Sequence, residues 1–293
     1  MSLSPNTRSI IMMTRPINGL MGCLTIIIGW LNTIPEDGRG LKPSIFLACL
    51  AYCFSSSSGM IINDIYDFRM DKVNRPTRPM PGGRVSIWQA RLLYVIMLVA
   101  ATLFAVLHGI IEDLLIVNIC LLILFGMIGW IYAAYGKKSG FAGNILVSIA
   151  FSAGIIYGAL VNTYSIPAYI FWFFLTSFSL LLSREIIKGG EDIRVDKAEG
   201  AKTLAVIMGV ERSVGVAVVF AGIALIFFIL PAFSPLKNPS AFMALMIPAS
   251  LVVIYALRLM LIGNNSRKKL GRISLLLKAG ALLGLIAFLA ASF

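Results

Sequence analysis

Histidine is nearly absent from this sequence: the only one, His108, falls at the end of an apolar run. Histidine-dependent metal sites and histidine proton relays need this residue, so both are disfavoured as a basis for function. Charged residues are also scarce, at 13% of the chain, whereas soluble domains carry roughly 25%. The shortage of charge excludes an ordinary soluble domain.

Cysteine is limited to four residues, and none of them has the paired spacing of a metal site. All four fall inside apolar runs, where cysteine behaves as a small buried hydrophobe. The net charge is +12, but there is no soluble basic domain that would bind nucleic acid. No obligate protein partner is indicated either. The four residues are Cys23, Cys49, Cys53 and Cys120.

Hydrophobic residues make up 59% of the 293 residues and are grouped into long runs. A bilayer core needs about 20 apolar residues per helix. The sequence therefore predicts an all-α, polytopic membrane bundle of nine transmembrane helices, formed by residues 1–293 as a single domain. A removable signal peptide is not expected, because the first run begins late and no cleavage site follows it. The runs are 17–34, 43–62, 88–107, 113–134, 141–162, 166–187, 205–230, 240–262 and 272–292.

Basic residues are distributed very unevenly between the two ends of these nine runs. With nine spans, only Arg39, Lys42 and Lys237 of the 25 basic residues lie on the side opposite the N-terminus. Loops rich in Lys and Arg stay in the cytoplasm. We therefore expect a multi-pass protein of the cell membrane, with the N-terminus and the loops after the second, fourth, sixth and eighth spans in the cytoplasm.

An acidic stretch, NDIYDFRMDK, follows the second run at residues 63–72 and is called the first motif here. If the helix continues past the apolar run, Asn63, Asp67 and Asp71 lie on one face at steps of four residues, with Asp64 beside them. Carboxylates at this spacing repel one another, and more strongly where water is scarce. The first motif therefore requires a compensating cation.

A second acidic stretch, EDIRVDK at residues 191–197, follows the sixth run and is called the second motif. Arg184, Lys188, Asp192 and Asp196 are spaced four residues apart, although we expect the glycine pair 189–190 to loosen the helix. The sequence DIRVDK also echoes DFRMDK of the first motif. Because each copy follows an even-numbered run, an internal duplication is possible.

The two motifs fall on the same predicted side of the membrane, so they can face each other across a shared cavity. Mg²⁺ takes oxygen ligands and often completes its shell with substrate phosphates. Paired carboxylates surrounded by bases therefore indicate Mg²⁺ ions that bridge a diphosphate, and a diphosphate ester inside an apolar bundle implies a lipid tail. An alternative is that these are solvated loop charges that only set the membrane orientation of the chain. It would explain the bases but not the aspartates, because acidic residues at the depth of the membrane are usually functional.

Four segments together resemble the UbiA-type intramembrane prenyltransferases over essentially the whole chain. They are the N-D-x-x-D-x-x-x-D pattern of the first motif, NRPTRPMPGGRVS, YGKKSGFAGN and SREIIKGGEDIRVDKAEGAKTL. The resemblance implies nine helices around a lipid-accessible cavity, with an active-site cap on the cytoplasmic side. GFAGNILVS and REIIKGGEDIRVDKAEGAKTL look most like members that transfer geranylgeranyl from its diphosphate to geranylgeranylglyceryl phosphate in archaeal ether-lipid synthesis.

The resemblance also implies particular site residues, a Mg²⁺ cofactor, an isoprenoid diphosphate donor, a lipid glycerol phosphate acceptor and surrounding membrane lipids. The five aspartates below are the catalytic candidates. The implied Mg²⁺ ligands are Asn63, Asp64, Asp67, Asp71, Asp192 and Asp196. The implied substrate contacts are Arg15, Asn18, Asn63, Lys72, Arg75, Arg78, Tyr135, Lys137, Arg184 and Lys188.

Three other functions compete with this interpretation. A prenyltransferase with an aromatic acceptor, such as 4-hydroxybenzoate or a naphthoate, would share the donor site, so the two motifs do not exclude it. A secondary transporter would carry its acids at mid-membrane depth in broken helices, whereas these acids are at span ends among bases. A structural lipid-binding protein would have no need of two acidic motifs.

Overall fold

The computed structural model describes residues 5–33, 42–136, 140–198, 200–263 and 265–293, and within these ranges the chain forms helices and no β-strand. A π-helical turn, Tyr132–Gly136, follows α6, and a 3₁₀ turn, Leu230–Phe233, follows α11. The helices are α1 Pro5–Thr14, α2 Pro16–Leu31, α3 Ile45–Tyr66, α4 Phe68–Asn74, α5 Ile87–Ile111, α6 Leu115–Ile131, α7 Phe141–Leu160, α8 Ala168–Glu191, α9 Ile193–Ala198, α10 Leu204–Met208, α11 Val210–Ile229, α12 Pro239–Leu261 and α13 Arg267–Ala290.

Eight helices of the described chain are long and apolar enough to cross a membrane, namely α3, α5, α6, α7, α8, α11, α12 and α13. A ninth span results if α1 and α2, which are bent by 41° at their junction, count as one. The all-α membrane bundle predicted from the sequence is confirmed. Each of the nine apolar runs overlaps one of these helices or, for the first run, α2.

Short polar residues fix where several of the spans begin. Ser86 and Gln89 form a reciprocal capping box at α5, in which Ser86 Oγ accepts from Gln89 N at 3.1 Å and Gln89 Oε1 accepts from Ser86 N at 2.9 Å. Asn238 caps α12 by accepting from Ala241 N at 3.0 Å. These caps satisfy backbone groups that a helix end otherwise leaves unpaired.

The chain divides into two compact units, and the first consists of Met1–Cys23 and Lys42–Gly136. Within it α3 packs against α1, α5 and α6. The N-terminal half of α2 lies close to α3, because Gly22 has no side chain: a Cβ there would lie 1.8 Å from Tyr52 Cε1. Cys23 Sγ and Cys53 Sγ are 3.0 Å apart in the same contact. Cys23 and Cys49 are buried as predicted, whereas Cys53 is half-buried and Cys120 is exposed on the surface of α6.

A polar cluster closes the end of α5 in this first unit. Lys42 Nζ pairs with Glu112 Oε2 at 2.8 Å, and Ser44 Oγ donates to Glu112 Oε1. Burial opposes the charge on Glu112, but these hydrogen bonds and the nearby Lys42 ammonium outweigh it and lower the pKa of Glu112. His108 is fully buried and lies 3.1 Å from Asn118 through its Nδ1 atom, so it has a structural role.

The second unit consists of Leu24–Leu41 and Lys137–Phe293. Its central helix is α8, which packs against α7, α11 and α13. Its apolar core includes four stacked or edge-to-face phenylalanines, Phe173, Phe228, Phe242 and Phe288. Such aromatic contacts bury a large apolar surface with defined geometry. They therefore fix the position of the part of α8 that precedes the second motif.

The glycine pair 189–190 does not loosen α8, contrary to the expectation from helix propensity. Both residues are helical, and α8 continues to Glu191. A Cβ on Gly190 would lie 3.2 Å from Leu270 Cδ1, and one on Gly189 would lie 3.6 Å from Thr203 Cβ. The glycines therefore permit close packing of α8 against its neighbours, and this packing overrides their low propensity.

Candidate active site

The aspartates of the first motif lie along a nearly uninterrupted helical path. Asp67 joins α3 to α4, and backbone bonds from Asp67 N to Asn63 O (2.9 Å) and from Asp71 N to Asp67 O (2.8 Å) continue the helical pattern through the junction. The four-residue spacing therefore places the carboxylates as predicted. Asp64, Asp67 and Asp71 are only 8%, 5% and 5% exposed.

Two guanidinium groups neutralise these buried carboxylates. Arg15 Nη2 pairs with Asp64 Oδ1 at 2.6 Å. Arg78 Nη1 pairs with Asp71 Oδ2 at 2.5 Å and lies 3.4 Å from Asp64 Oδ1. Buried charges require such partners, and Asp64 has two of them. Arg15, which is distant in sequence, therefore joins Asp64, Asp71 and Arg78 in one charged cluster.

Arg15 reaches Asp64 from the junction between α1 and α2. Its backbone has φ 45°, in the left-handed region that residues other than glycine rarely adopt. The same guanidinium also contacts the Met60 sulfur at 3.2 Å, one helical turn before Asp64. A strained residue whose side chain binds a buried acid is typical of functional positions.

Arg78 is held by a loop that is anchored on both sides. Met80 and Val85 are buried in an apolar cluster with Met13, Ile61 and Ala90. Arg84 Nη2 donates to Thr77 O at 2.6 Å, which fixes the turn across its base. The loop NRPTRPMPGGR therefore presents a guanidinium to the first motif through a fixed backbone.

Other predicted residues of the first unit take various positions around this cluster. Asn63 Nδ2 donates to Asp67 Oδ2 at 3.1 Å. Asn18 is exposed, with its Nδ2 atom 3.9 Å from the Met60 sulfur. The Lys72 ammonium lies 4.8 Å from the centre of the Phe68 ring, and Arg75 is exposed at the end of α4. These residues lie in or beside the first motif, and their roles as substrate contacts or Mg²⁺ ligands stay predictions.

Two further predicted contacts fall where the structure gives no side-chain position. Tyr135 belongs to the π-helical turn, but its side chain lies outside the described part of the chain. Lys137 lies outside the described residues altogether. Their roles as substrate contacts stay predictions.

Of the two aspartates of the second motif, Asp192 directly precedes the short helix α9 and Asp196 lies in its first turn. Asp192 ends α8 through a bond from its N–H to Lys188 O at 2.9 Å, and its carbonyl accepts from Val195 N and Asp196 N. Asp196 O in turn accepts from Ala201 N at 2.9 Å. Both side chains are half-buried. The sequence DIRVD therefore brings both aspartates to the end of α8.

Arg184 approaches the second motif from within α8, two turns before its end. Its Nη1 donates to Glu185 Oε1 at 2.6 Å. Its Nε atom is buried and has no hydrogen-bond partner among the described residues, and an unpaired buried donor is costly. Lys188, one turn later, is half-buried. Helical spacing could not predict Glu185 as a partner, because adjacent residues of a helix normally point in different directions.

The residues present are chemically suited to a divalent cation. Carboxylate and amide oxygens are the ligands that Mg²⁺ prefers, and the first motif has three buried carboxylates and one half-buried amide. In the described part of the chain, however, no three His, Cys, Asp or Glu side chains converge closely enough to hold an ion. Guanidinium groups occupy the spaces between the carboxylates, so the predicted Mg²⁺ ligands stay predictions.

A model of the UbiA prenyltransferase family matches residues 19–279 of the chain. Two curated relatives are both called digeranylgeranylglyceryl phosphate synthase. The one from Korarchaeum cryptofilum is 31% identical over 278 residues, covering 94% of each protein. The one from Methanopyrus kandleri is 34% identical over 285 residues, covering 97% of this chain and 98% of the relative.

Solved structures show the same fold. A structure described as giving insights into digeranylgeranylglyceryl phosphate synthase in membranes matches with a TM-score of 0.76 and 23% identity, covering 98% of both chains. A UbiA homologue from Archaeoglobus fulgidus bound to GPP and Mg²⁺ matches with a TM-score of 0.66 and 19% identity, covering 96% of this chain and 99% of that one. With its apolar helices, this chain is a multi-pass membrane protein. It belongs to the UbiA prenyltransferase family and is a prenyltransferase.

Proposed function

We propose that the protein transfers a geranylgeranyl group from geranylgeranyl diphosphate to geranylgeranylglyceryl phosphate, giving digeranylgeranylglyceryl phosphate for ether-lipid synthesis. The observation that carries the proposal is the buried cluster of Asp64, Asp71, Arg15 and Arg78. It combines acids suited to a cation with guanidinium groups suited to phosphate oxygens. The names of the curated relatives support the glycerol phosphate acceptor.

Both motifs are proposed to serve this reaction, in a single prenyltransferase domain. Mg²⁺, when bound by the acidic residues, neutralises charge on the departing diphosphate. Its proposed ligands are Asn63, Asp64, Asp67, Asp71, Asp192 and Asp196. The side chains proposed to hold diphosphate oxygens are Arg15, Asn18, Lys72, Arg75, Arg78, Tyr135, Lys137, Arg184 and Lys188.

The reaction breaks the bond between the allylic C1 carbon and the diphosphate oxygen and forms an ether bond from C1 to the acceptor hydroxyl. Arg15 and Arg78 stabilise the negative charge that develops on the leaving group. The unpaired Nε of Arg184 provides a further donor. Apolar helices keep water away from the allylic cation, which would otherwise be hydrolysed. The hydroxyl proton is released as the ether bond forms.

The basic residues also support a cytoplasmic active site. The first motif, the Arg78 loop and the second motif all fall on the side that the positive-inside rule assigns to the cytoplasm. Water-soluble Mg²⁺ and released diphosphate would then exchange directly with the cytoplasm, while both lipid substrates enter from the membrane.

Purified protein in detergent, labelled geranylgeranyl diphosphate and two competing acceptors test this function. We expect labelling of geranylgeranylglyceryl phosphate and not of 4-hydroxybenzoate, with Mg²⁺ and not with EDTA. Asp67→Asn and Asp192→Asn should each abolish labelling, whereas Glu211→Gln, a matched change of an exposed acid at the start of α11, should not. Labelling of the aromatic acid alone would overturn the acceptor but keep the chemistry. No diphosphate release with any acceptor would overturn the proposal entirely.

A further inference from the structure

Arg15 and Arg78 cover the first motif from its more exposed side. The Arg15 side chain is 31% exposed and that of its partner Asp64 only 10%. The Arg78 side chain is 25% exposed and that of its partner Asp71 only 7%. In both pairs the guanidinium group is therefore nearer to the surface than the carboxylate that it binds. A cation that approaches from the surface meets a positive charge before it reaches either acid.

The same two bases compensate most of the negative charge of the first motif. Its three buried carboxylates, those of Asp64, Asp67 and Asp71, are accompanied by two guanidinium groups, so one net negative charge is left. A divalent cation added to these pairs would make the cluster positive and would lie close to two other positive charges. Like charges repel strongly where water is scarce. With both bases in place, the carboxylates are therefore a poor site for a cation, although their oxygens are suited to one.

Each guanidinium group can leave its carboxylate without a change in the fold. Arginine has a long side chain with several rotatable bonds, and the backbone around Arg78 is anchored by the buried residues Met80 and Val85. Arg15 lies at the junction of α1 and α2, where its φ of 45° is strained. Strained backbone is a feature of ligand clamps and switch regions. The pairs can therefore open by side-chain rotation alone.

We propose that Arg15 and Arg78 keep the first motif closed to cations until a diphosphate binds, an inference that rests on the proposed function. Guanidinium groups bind phosphate oxygens through the same paired N–H donors that bind carboxylates. When a diphosphate draws both bases to its oxygens, the carboxylates lose their partners and become free to bind a divalent cation. Every charge then exchanges one partner for another, and none is left buried and unpaired. The cation and the diphosphate are therefore taken up together, and neither binds tightly alone.

Permanent ion pairs are the alternative to this exchange of partners. In that case Arg15 and Arg78 would only stabilise the buried acids, and a cation would bind the remaining carboxylate oxygens whether or not a diphosphate is present. The two cases differ in a quantity that needs no turnover, namely the affinity of the protein for a divalent cation alone. Exchange of partners requires a low affinity in the wild type and a higher affinity once a guanidinium group is removed.

Binding of Mn²⁺, which prefers the same oxygen ligands as Mg²⁺, measures this affinity directly. Electron paramagnetic resonance counts the free Mn²⁺ in the presence of the purified full-length protein in detergent, without substrate. We expect Arg78→Met and Arg15→Met each to bind Mn²⁺ at least tenfold more tightly than the wild type. Adding Asp71→Asn to Arg78→Met should weaken that binding again, because the freed carboxylate is removed. Arg69→Met, the matched loss of an exposed base of α4, should stay within twofold of the wild type.

Inorganic pyrophosphate tests the exchange of partners in the wild type and needs no variant. The melting temperature is the readout, because a ligand that binds only the folded protein raises it. Mg²⁺ alone and pyrophosphate with EDTA should each leave the wild-type melting temperature nearly unchanged, whereas the two together should raise it.

Tight binding of either Mn²⁺ or metal-free pyrophosphate by the wild type would overturn the inference. So would Arg78→Met and Arg15→Met variants that bind Mn²⁺ no more tightly than the wild type. Both outcomes leave the proposed function intact, because neither measurement involves prenyl transfer. The proposed function fails instead if the wild type transfers no labelled prenyl group to geranylgeranylglyceryl phosphate.

Discussion

Replacing Arg78 by methionine should expose how strongly the first motif depends on its guanidinium partner. Arg78 is the described cation that pairs with Asp71, at 2.5 Å, and it also lies 3.4 Å from Asp64. Methionine keeps most of the side-chain volume but removes the charge. Asp64 retains Arg15 at 2.6 Å, so the loss falls mainly on Asp71.

The expected cost follows from the burial of the two partners. Removing one member of a fully buried ion pair costs roughly 3–5 kcal/mol, because the other charge stays buried and unpaired. The Asp71 side chain is 7% exposed, but that of Arg78 is 25% exposed, so solvent already screens part of the interaction. We therefore expect Arg78→Met to destabilise the protein by about 2 kcal/mol, and Asp71→Asn in that background to restore about 1 kcal/mol.

Thermal unfolding in detergent measures this coupling through the two single variants and the double variant. Mg²⁺ should stabilise Arg78→Met more than the double variant, because the unpaired Asp71 carboxylate then attracts the cation more strongly. Arg91→Met is the matched control, since Arg91 is an exposed base of α5 outside this loop. Additive effects of Arg78→Met and Asp71→Asn would show that the two side chains do not interact and would refute the reasoning.

Three further predictions concern stability away from the first motif. Gly22→Ala should lower the melting temperature markedly, since the new Cβ would lie 1.8 Å from Tyr52 Cε1. Gly222→Ala is its control, because a Cβ there has no neighbouring atom within 4 Å. Gly140→Ala should also destabilise, because Gly140 has φ 57° and a Cβ there would meet Lys202 O; an unchanged melting temperature would contradict that close approach. The lowered pKa of Glu112 stabilises the fold above the usual pKa of 4.5, and this contribution should be lost as pH falls through the lowered value. Glu112→Gln should therefore reduce the loss of unfolding free energy on acidification. An unchanged dependence on pH would show that other groups cause that loss.

The sequence was sufficient to locate the spans and the first motif because both depend on local periodicity. Apolar runs of membrane length leave few alternatives to a helix. The four-residue spacing from Asn63 to Asp71 put the carboxylates on one face once the helix continued past Tyr66. The same local reasoning failed at Gly189 and Gly190, because tertiary packing against Leu270 decides their conformation.

Pairings between the side chains of different segments could not be predicted from local periodicity. The sequence marked Arg15 and Arg78 only as bases near phosphate, whereas the structure pairs them with Asp64 and Asp71. No sequence feature predicted the positive φ of Arg15, since residues before proline are normally extended.

The distribution of charge along the helices bears on the transporter alternative. In a cation transporter, acids belong near the middle of the spans, where the transported ion crosses the membrane. Here Asp64 lies two residues before the end of α3, and Asp192 follows the last residue of α8. A helix bundle with acids at the ends of its helices, among bases, favours anionic substrates over the passage of a cation.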